Sequence, residues 1–326
     1  MILYLLGIIA GFCILVWSAD KFVDGAASTA KHLGMPTLLI GILIVGFGTS
    51  APEMVVSAIA AMEGNPGLAL GNAIGSNIVN IALILGVTAV ISPIVVNSNI
   101  VKKEIPLLLL IVFIIGYLLL DNFLSFIEGI ILLGGFFALV VWSIISAMRN
   151  KGDALESDME DELIEHPMSL KAGIIWLIIG LVLLIASSRL LVWGAVGVAT
   201  EFGISDLIIG LTIVALGTSL PELAASIIAA RKGEHDIAIG NVVGSNMFNI
   251  LAVIGIATVI APMNNIPFEV LQRDWVVMLV LTIALLVMSY AFKAKNGVIT
   301  RVEGTILIIC YVAYNTYLGM TLTGNL

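Results

Sequence analysis

Long apolar windows, each about as long as a helix that crosses a bilayer, recur through most of this chain. Five lie near residues 2–30, 37–62, 68–92, 105–120 and 124–148, and five more near residues 170–199, 206–231, 237–260, 275–292 and 303–323. The interval 149–169 is the long hydrophilic exception and carries seven acidic residues. The pattern predicts an all-α membrane protein with ten transmembrane helices.

Polar residues recur inside these windows as two short signatures, and each signature occurs twice. Gly-Thr-Ser-x-Pro-Glu lies at residues 48–53 and 217–222, and Gly-Asn-x-x-Gly-Ser-Asn-x-x-Asn lies at residues 71–80 and 240–249. Both pairs are offset by 169 residues, and an ungapped alignment of residues 48–86 with residues 217–255 gives 19 identities in 39 positions. The chain is therefore an internal duplication.

An odd number of spans in each repeat means that the second copy enters the membrane from the opposite side. The sequence thus predicts two inverted halves, residues 1–148 and residues 170–326, joined by an acidic cytoplasmic linker at residues 149–169. We interpret the linker as a solvated tether rather than a regulatory cation site, because its acidic spacing does not match a Ca²⁺-binding loop.

The distribution of Lys and Arg sets the predicted orientation, because cytoplasmic loops carry an excess of positive charge. Eleven basic residues fall on one side of the predicted membrane, and Arg273 alone falls on the other. The eleven are Lys31, Lys102, Lys103, Arg149, Lys151, Lys171, Arg231, Lys232, Lys293, Lys295 and Arg301. We therefore expect a multi-pass protein of the plasma membrane with both termini outside the cytoplasm.

Composition excludes several classes of protein. With 60% hydrophobic residues and a mean hydropathy of +1.16, the chain cannot hide its apolar surface in one soluble core. The N-terminal stretch lacks the basic segment and cleavage pattern of a signal peptide, so it is interpreted as a membrane helix. Cys13 and Cys310 lie far apart, which excludes a disulfide framework. The lipid bilayer is the expected partner; no nucleic acid and no obligatory protein partner is predicted.

The first signature predicts a helix break inside the membrane. Gly48 and Pro52 lie within five residues, and the second copy repeats the arrangement. Pro52 and Pro221 fit the first position of a new half-helix, with four hydroxyls just before it as caps: Thr49, Ser50, Thr218 and Ser219. Glu53 and Glu222 then lie in the first turn, where a lone buried carboxylate is costly unless a cation or a proton joins it.

The second signature adds amide and hydroxyl groups at helical spacing. Asn80 follows Glu53 by 27 residues, and Asn249 follows Glu222 by the same interval. Two carboxylates and two amides around a pseudo-twofold axis would form a compact oxygen cage for a hard cation. For four other asparagines we favour interhelical hydrogen bonding: Asn72, Asn77, Asn241 and Asn246. The alternative to a cation site is that Glu53 and Glu222 form structural ion pairs, for which Lys21 and Arg189 are the available basic residues. We expect Lys21 and Arg189 instead to snorkel or to pair with a local carboxylate such as Asp24.

These paired signatures resemble the α-repeats of the sodium/calcium exchanger family, within the cation/Ca²⁺ exchanger superfamily, in its short prokaryotic form. The resemblance implies ten helices in two inverted halves, with helices 2, 3, 7 and 8 broken, and a Na⁺/Ca²⁺ antiporter that works by alternating access without a cofactor. It also implies twelve positions that would bind the transported ions. These are Glu53, Glu222, Asn80, Asn249, Thr49, Ser50, Thr218, Ser219, Ser76, Ser245 and the backbone carbonyls of Gly46 and Ala215.

One position departs from some archaeal members of that family, which have Asp where this chain has Asn249. With Asn the cage carries a charge of about −2, enough for one Ca²⁺ or two Na⁺, so the ion stoichiometry stays open. A Ca²⁺/H⁺ or other cation/H⁺ exchanger is the nearest alternative, because the same carboxylates could carry protons. A passive channel is less favoured, because inverted halves with ligands confined to the midplane favour alternating access over a continuous pore. An intramembrane enzyme is less favoured, since the chain has neither His-Glu-x-x-His nor paired intramembrane Asp.

Overall fold

A computed structural model describes residues 1–34, 37–97, 100–149, 168–202, 215–290 and 297–322. In the first half the helices are α1 (Ile2–Leu33), α2 (Thr37–Ile40), α3 (Phe47–Thr49), α4 (Ala51–Met62), α5 (Pro66–Ile78), α6 (Gly86–Ile91), α7 (Ile105–Leu118) and α8 (Phe126–Arg149). In the second half they are α9 (Leu170–Glu201), α10 (Ala215–Thr218), α11 (Leu220–Arg231), α12 (His235–Phe248), α13 (Gly255–Ile260), α14 (Val276–Ser289) and α15 (Arg301–Leu322).

Short segments of other geometry connect or extend these helices. The π-helical segments are Gly41–Gly46, Val79–Leu85, Ile100–Glu104, Asn249–Ile254 and Val270–Trp275, and a 3₁₀ turn spans Leu119–Asp121. Strand β1 (Ile94–Val96) pairs antiparallel with strand β2 (Gly297–Ile299), with Val95 opposite Val298. The prediction of an all-α fold therefore missed a small sheet, because two three-residue strands are too short to leave a period-two pattern in the sequence.

The apolar helices account for most of the predicted membrane spans. By length and composition, seven of the described helices can cross a membrane, and the bent pair Gly41–Thr49 and Ala51–Met62 makes eight. Of the seventh predicted span, near residues 206–231, the structure describes only the part from residue 215 onward. The tenth, near residues 303–323, corresponds to α15, which is not among these eight helices. An α-helical membrane protein is thus confirmed, while the number of ten spans stays a prediction. Most of the acidic linker lies outside the described residues.

The two helices that carry the second signature lie at the centre of the bundle. In the span His235–Ile260, 83% of the most apolar window is buried, and in Pro66–Ile91 67% is buried, against 22–44% in the other spans. Each runs without a break through a π-helical segment that begins at Val79 in one repeat and at Asn249 in the other. The prediction that helices 3 and 8 break is therefore wrong. Their signatures contain no proline, so the backbone widens instead of ending.

The first signature does interrupt its helix, as predicted. The helix axis bends by 47° between Gly41–Thr49 and Ala51–Met62, and Ser219 likewise separates α10 from α11. Pro52 and Pro221 occupy the second rather than the first helical position, and neither Ser50 nor Ser219 makes a side-chain capping bond. The capping prediction is therefore wrong for these two serines, whose hydroxyls lie near the glutamates described below.

The duplication is visible in the element boundaries. Helix α4 and helix α11 match end to end at the 169-residue offset, since 51 and 62 become 220 and 231. The span Pro66–Ile91 matches His235–Ile260 in the same way. Equal sequence thus produces equal local structure in both copies of the signatures.

Helix α1 packs antiparallel along α9 through glycines. A Cβ added at Gly11 would lie 2.8 Å from the backbone nitrogen of Leu191, and one added at Gly180 would lie 2.8 Å from the Cα of Phe22. A Cβ at Gly25 would collide with the backbone of Leu177. Such close approach of two backbones is available only to glycine, and small residues are the usual contact of helices in lipid.

We expect Gly25→Leu to destabilise the α1–α9 pair, because overpacking a close helix contact costs about 1–3 kcal/mol. The measurement is the thermal unfolding midpoint of the protein in detergent. Gly134→Leu is the matched control, since no atom of the described structure lies within 4 Å of a Cβ built there. Equal midpoints for the two variants would contradict the packing described for Gly25.

Lys21 and Arg189, the two basic residues inside predicted spans, differ in their ion pairs. Lys21 Nζ lies 3.3 Å from Asp20 Oδ2 and 3.7 Å from Asp24 Oδ2, as a local pair on α1. Lys232, at the end of α11, contacts Asp20 at 2.6 Å and Asp24 at 2.5 Å. Within the described part of the chain, Arg189 forms no ion pair. Local pairing is thus observed for Lys21, and Asp20 also pairs across the repeats with Lys232.

Candidate cation site

Glu53 and Glu222 lie close together in the interior, where the two helix interruptions meet. Their side chains are 1% and 2% exposed. Each is contacted by a hydroxyl of the opposite repeat: the Thr218 hydroxyl hydrogen-bonds to Glu53, and Ser50 Oγ donates to Glu222 Oε1 at 3.4 Å. The two carboxyl groups are also close enough for the charge of Glu53 to interact with that of Glu222. Both carboxylates therefore belong to one site built by the two repeats together.

Four buried oxygen atoms in this region have no hydrogen-bond partner within the described residues. They are Glu53 Oε2, Glu222 Oε2, Asn80 Oδ1 and Asn249 Oδ1. All four side chains are 2% exposed or less. A buried acceptor without a donor costs free energy, and for a carboxylate oxygen the cost is larger. Carboxylate and amide oxygens are of the hard type that Na⁺ and Ca²⁺ accept as ligands.

The predicted hydroxyl ligands are in differing environments. Ser219 Oγ is buried and has no partner within the described residues, while Thr49 Oγ1 lies 3.0 Å from Val45 O and 3.1 Å from Asn241 Oδ1. Ser76 is 6% exposed. Ser245 Oγ donates to the carbonyl of Gly46 at 3.3 Å.

The two predicted carbonyl ligands also differ. Gly46 O accepts a hydrogen bond from the backbone nitrogen of Ser50 at 3.1 Å, in addition to the Ser245 hydroxyl. This oxygen is thus partly satisfied by protein donors. Ala215 is the first residue of helix α10 and of the described range 215–290.

Asn241 is a residue of the site whose role sequence reasoning underestimated. Its Nδ2 donates to Glu222 O at 3.1 Å and to Ser226 Oγ at 2.9 Å, while its Oδ1 accepts from the Thr49 hydroxyl. Its counterpart Asn72 donates to Ser57 Oγ at 3.1 Å. Both make the interhelical bonds expected from the sequence, and Asn241 also contacts the backbone of Glu222 and the hydroxyl of Thr49 in the opposite repeat. No single-sequence signal distinguishes the two.

The charge of the site needs a partner that the described side chains do not supply. Two carboxylates in a low-dielectric interior repel each other strongly, and no Lys or Arg pairs with either within the described chain. The same part of the chain holds no cluster of three or more His, Cys, Asp or Glu, the arrangement typical of a transition-metal site. The site is suited to binding hard cations or protons.

A pocket of about 280 Å³ lies against one side of this site. Its walls come from α9 and from the two helix interruptions, including Pro52, Gly217, Thr218 and Pro221. Because Thr218 also contacts Glu53, the pocket reaches the immediate surroundings of the carboxylates.

Comparison with known proteins gives consistent matches over nearly the full chain. The sequence profile described as "Sodium/calcium exchanger protein" matches residues 3–145 and 172–320. A proposed antiporter of Alkalimonas amylolytica, CaxA, is 48% identical over 309 residues, which cover 94% of this chain and 96% of CaxA. The sodium/calcium exchanger MaX1 of Methanosarcina acetivorans is 29% identical over an alignment of 351 positions, gaps included, which covers 94% of this chain and 96% of MaX1.

Solved structures agree with this assignment. A structure of the sodium-calcium exchanger NCX_Mj, soaked with Na⁺ and Ca²⁺, superposes with a TM-score of 0.82 and 31% sequence identity. The superposition covers 97% of this chain and 98% of that one.

Proposed function

This chain belongs to the sodium/calcium exchanger protein family, and from that premise we propose that it exchanges Na⁺ for Ca²⁺ across a membrane. The transported ions are its substrates, and the proposed mechanism needs no cofactor. Glu53 and Glu222 would bind the two ions competitively, since a site with a charge of −2 is neutralised by one Ca²⁺ or by two Na⁺.

The observation that supports this proposal is the set of four unpaired buried oxygens, two from each repeat. A buried oxygen without a donor costs free energy, and a bound cation that coordinates it would remove that cost. The nearby hydroxyls of Ser50, Ser219 and Thr218 would complete the coordination shells. A Ca²⁺ ion takes six to eight oxygen ligands, a number that carboxylates, amides and hydroxyls together can supply.

We further propose that residues 1–148 and residues 170–326 form inverted halves about a pseudo-twofold axis. Reciprocal contacts support this relation: Asn80 bonds to Asn246, and the equivalent Asn249 bonds to Asn77. Alternating access would then expose the same site to each side of the membrane in turn. The proposed location is the plasma membrane, with both termini outside the cytoplasm and residues 149–169 as a cytoplasmic tether.

The decisive experiment is uptake of radioactive Ca²⁺ into proteoliposomes loaded with Na⁺. We expect Ca²⁺ to accumulate above its external concentration when Na⁺ is diluted outside, and not to accumulate above it when Na⁺ is equal on both sides. Protein-free vesicles and vesicles with added ionophore for Na⁺ are the controls. Uptake that does not depend on the Na⁺ gradient would refute Na⁺ coupling.

A cation/H⁺ exchanger is the second candidate, because Glu53 Oε2 and Glu222 Oε2 could each accept a proton in place of a metal ion. Imposing a pH gradient in Na⁺-free buffer separates the two functions. We expect little Ca²⁺ uptake under that condition. Uptake equal to that driven by Na⁺ would favour proton coupling.

A further inference from the structure

Two further asparagines contact the amide groups that the proposed function uses as ligands. Asn80 Nδ2 donates to Asn246 Oδ1 at 3.0 Å. At the equivalent position of the other repeat, Asn249 Nδ2 donates to Asn77 Oδ1 at 3.1 Å. Each bond thus joins a ligand amide of one repeat to an asparagine of the other, and all four side chains are 1% exposed.

A primary amide has a donor edge and an acceptor edge, and a rotation of 180° exchanges them. Only the oxygen edge can bind a cation, because the NH₂ edge places partial positive charge against it. The acceptors on Asn246 and Asn77 hold the NH₂ edges of Asn80 and Asn249. The opposite edges are the two oxygens that have no partner in the described structure.

We propose that Asn246 and Asn77 are positioning residues that fix the orientation of the ligand amides across the repeat interface. The inference rests on the proposed cation site and adds to it the pair of residues that sets its geometry. Neither residue would touch the ion. Outer groups that orient metal ligands typically change metal affinity by about 10- to 100-fold when they are removed.

The two positioning residues differ in what else they bond. Asn77 Nδ2 donates to the backbone carbonyl of Asn246 at 3.2 Å and lies 3.4 Å from Met278 Sδ. Asn246 Nδ2 has no partner within the described residues. Asn246 can therefore lose its NH₂ group without losing a bond, which makes it the better site for a test.

The test compares Asn246→Leu, which removes the acceptor, with Asn246→Asp, which keeps it. Calcium is titrated calorimetrically into the purified full-length protein in Na⁺-free detergent buffer. We expect Asn246→Leu to weaken the apparent affinity about 10-fold or more. Asn246→Asp should bind Ca²⁺ at least as tightly as the unmutated protein, because a carboxylate still accepts from Asn80 and adds negative charge near the cage. If Asn246→Leu does not fold, Asn246→Ala takes its place.

Asn72→Leu is the control, since Asn72 also makes an interhelical bond, part-buried, but hydrogen-bonds to neither ligand amide among the described residues. Unchanged affinity in Asn246→Leu would overturn the inference, as would equal losses in Asn246→Leu and Asn246→Asp, or a loss of the same size in Asn72→Leu. A merely structural role predicts one of these last two results. If the unmutated protein itself binds no Ca²⁺ and catalyses no exchange, the proposed function fails instead.

Discussion

Glu53→Gln and Glu222→Gln should each abolish Na⁺-driven Ca²⁺ uptake. Each substitution keeps the size of the side chain but leaves the site with a single negative charge, which cannot neutralise a divalent ion. Removing a carboxylate that pairs with the bound Ca²⁺ in a buried site costs about 2–5 kcal/mol, or roughly 30-fold or more in affinity. The measurement is the initial rate of radioactive Ca²⁺ uptake into Na⁺-loaded proteoliposomes.

Glu63→Gln is the matched control for this experiment. Glu63 follows the same helix, α4, and is exposed. It makes no side-chain contact with the site among the described residues, so its substitution should leave the uptake rate within about twofold of the unmutated protein, as surface changes usually do. Normal uptake in Glu53→Gln or Glu222→Gln would remove the basis of the proposed mechanism.

Exchange by the unmutated protein should be insensitive to membrane potential. Asn249 is neutral, so Glu53 and Glu222 give the cage a charge of −2, and two Na⁺ balance one Ca²⁺. An exchange that moved one net charge would gain about 2.3 kcal/mol per 100 mV, or roughly a 50-fold shift in the Ca²⁺ gradient at equilibrium. We expect no such shift when the potential is clamped with K⁺ and valinomycin and the final Ca²⁺ ratio is measured.

Asn249→Asp tests the same charge count from the other direction. A third carboxylate would raise the charge of the cage to −3 and allow a third Na⁺, so the Ca²⁺ gradient in this variant should become dependent on potential. Vesicles clamped at zero potential are the internal control for both proteins. A 50-fold shift already present in the unmutated protein would mean that a third Na⁺ binds without a third carboxylate.

Local features of the site could be predicted from the sequence because they depend on neighbours in the chain. Pro52 lacks a backbone N–H, so the interruption before Glu53 follows from its position, and the repeat at Pro221 predicts the second interruption. The prediction that helices 3 and 8 break was wrong because their signature has no such proline. A glycine and asparagine signature without proline allows either a break or the π-helical segment that the structure contains at Val79–Leu85.

The capping prediction failed at Ser50 because two acceptor and donor roles competed for the same hydroxyl. A serine before a helix usually accepts from the first-turn N–H groups. Here Ser50 instead donates to Glu222, a residue 172 positions away in the sequence. A buried carboxylate is the stronger acceptor in a low-dielectric interior, and only the folded structure reveals that it lies within reach.

The sequence by itself determined the duplication, the apolar spans and the residue types of the site, because each depends on composition or on spacing along the chain. The tertiary structure alone decided that Ser50 meets Glu222, that Thr218 meets Glu53, and that Asn246 holds the amide of Asn80. These contacts cross between the repeats and join residues more than 160 positions apart. Their distances are set by how the interrupted helices and the two central helices of the opposite repeats pack, and a single sequence contains no direct record of that packing.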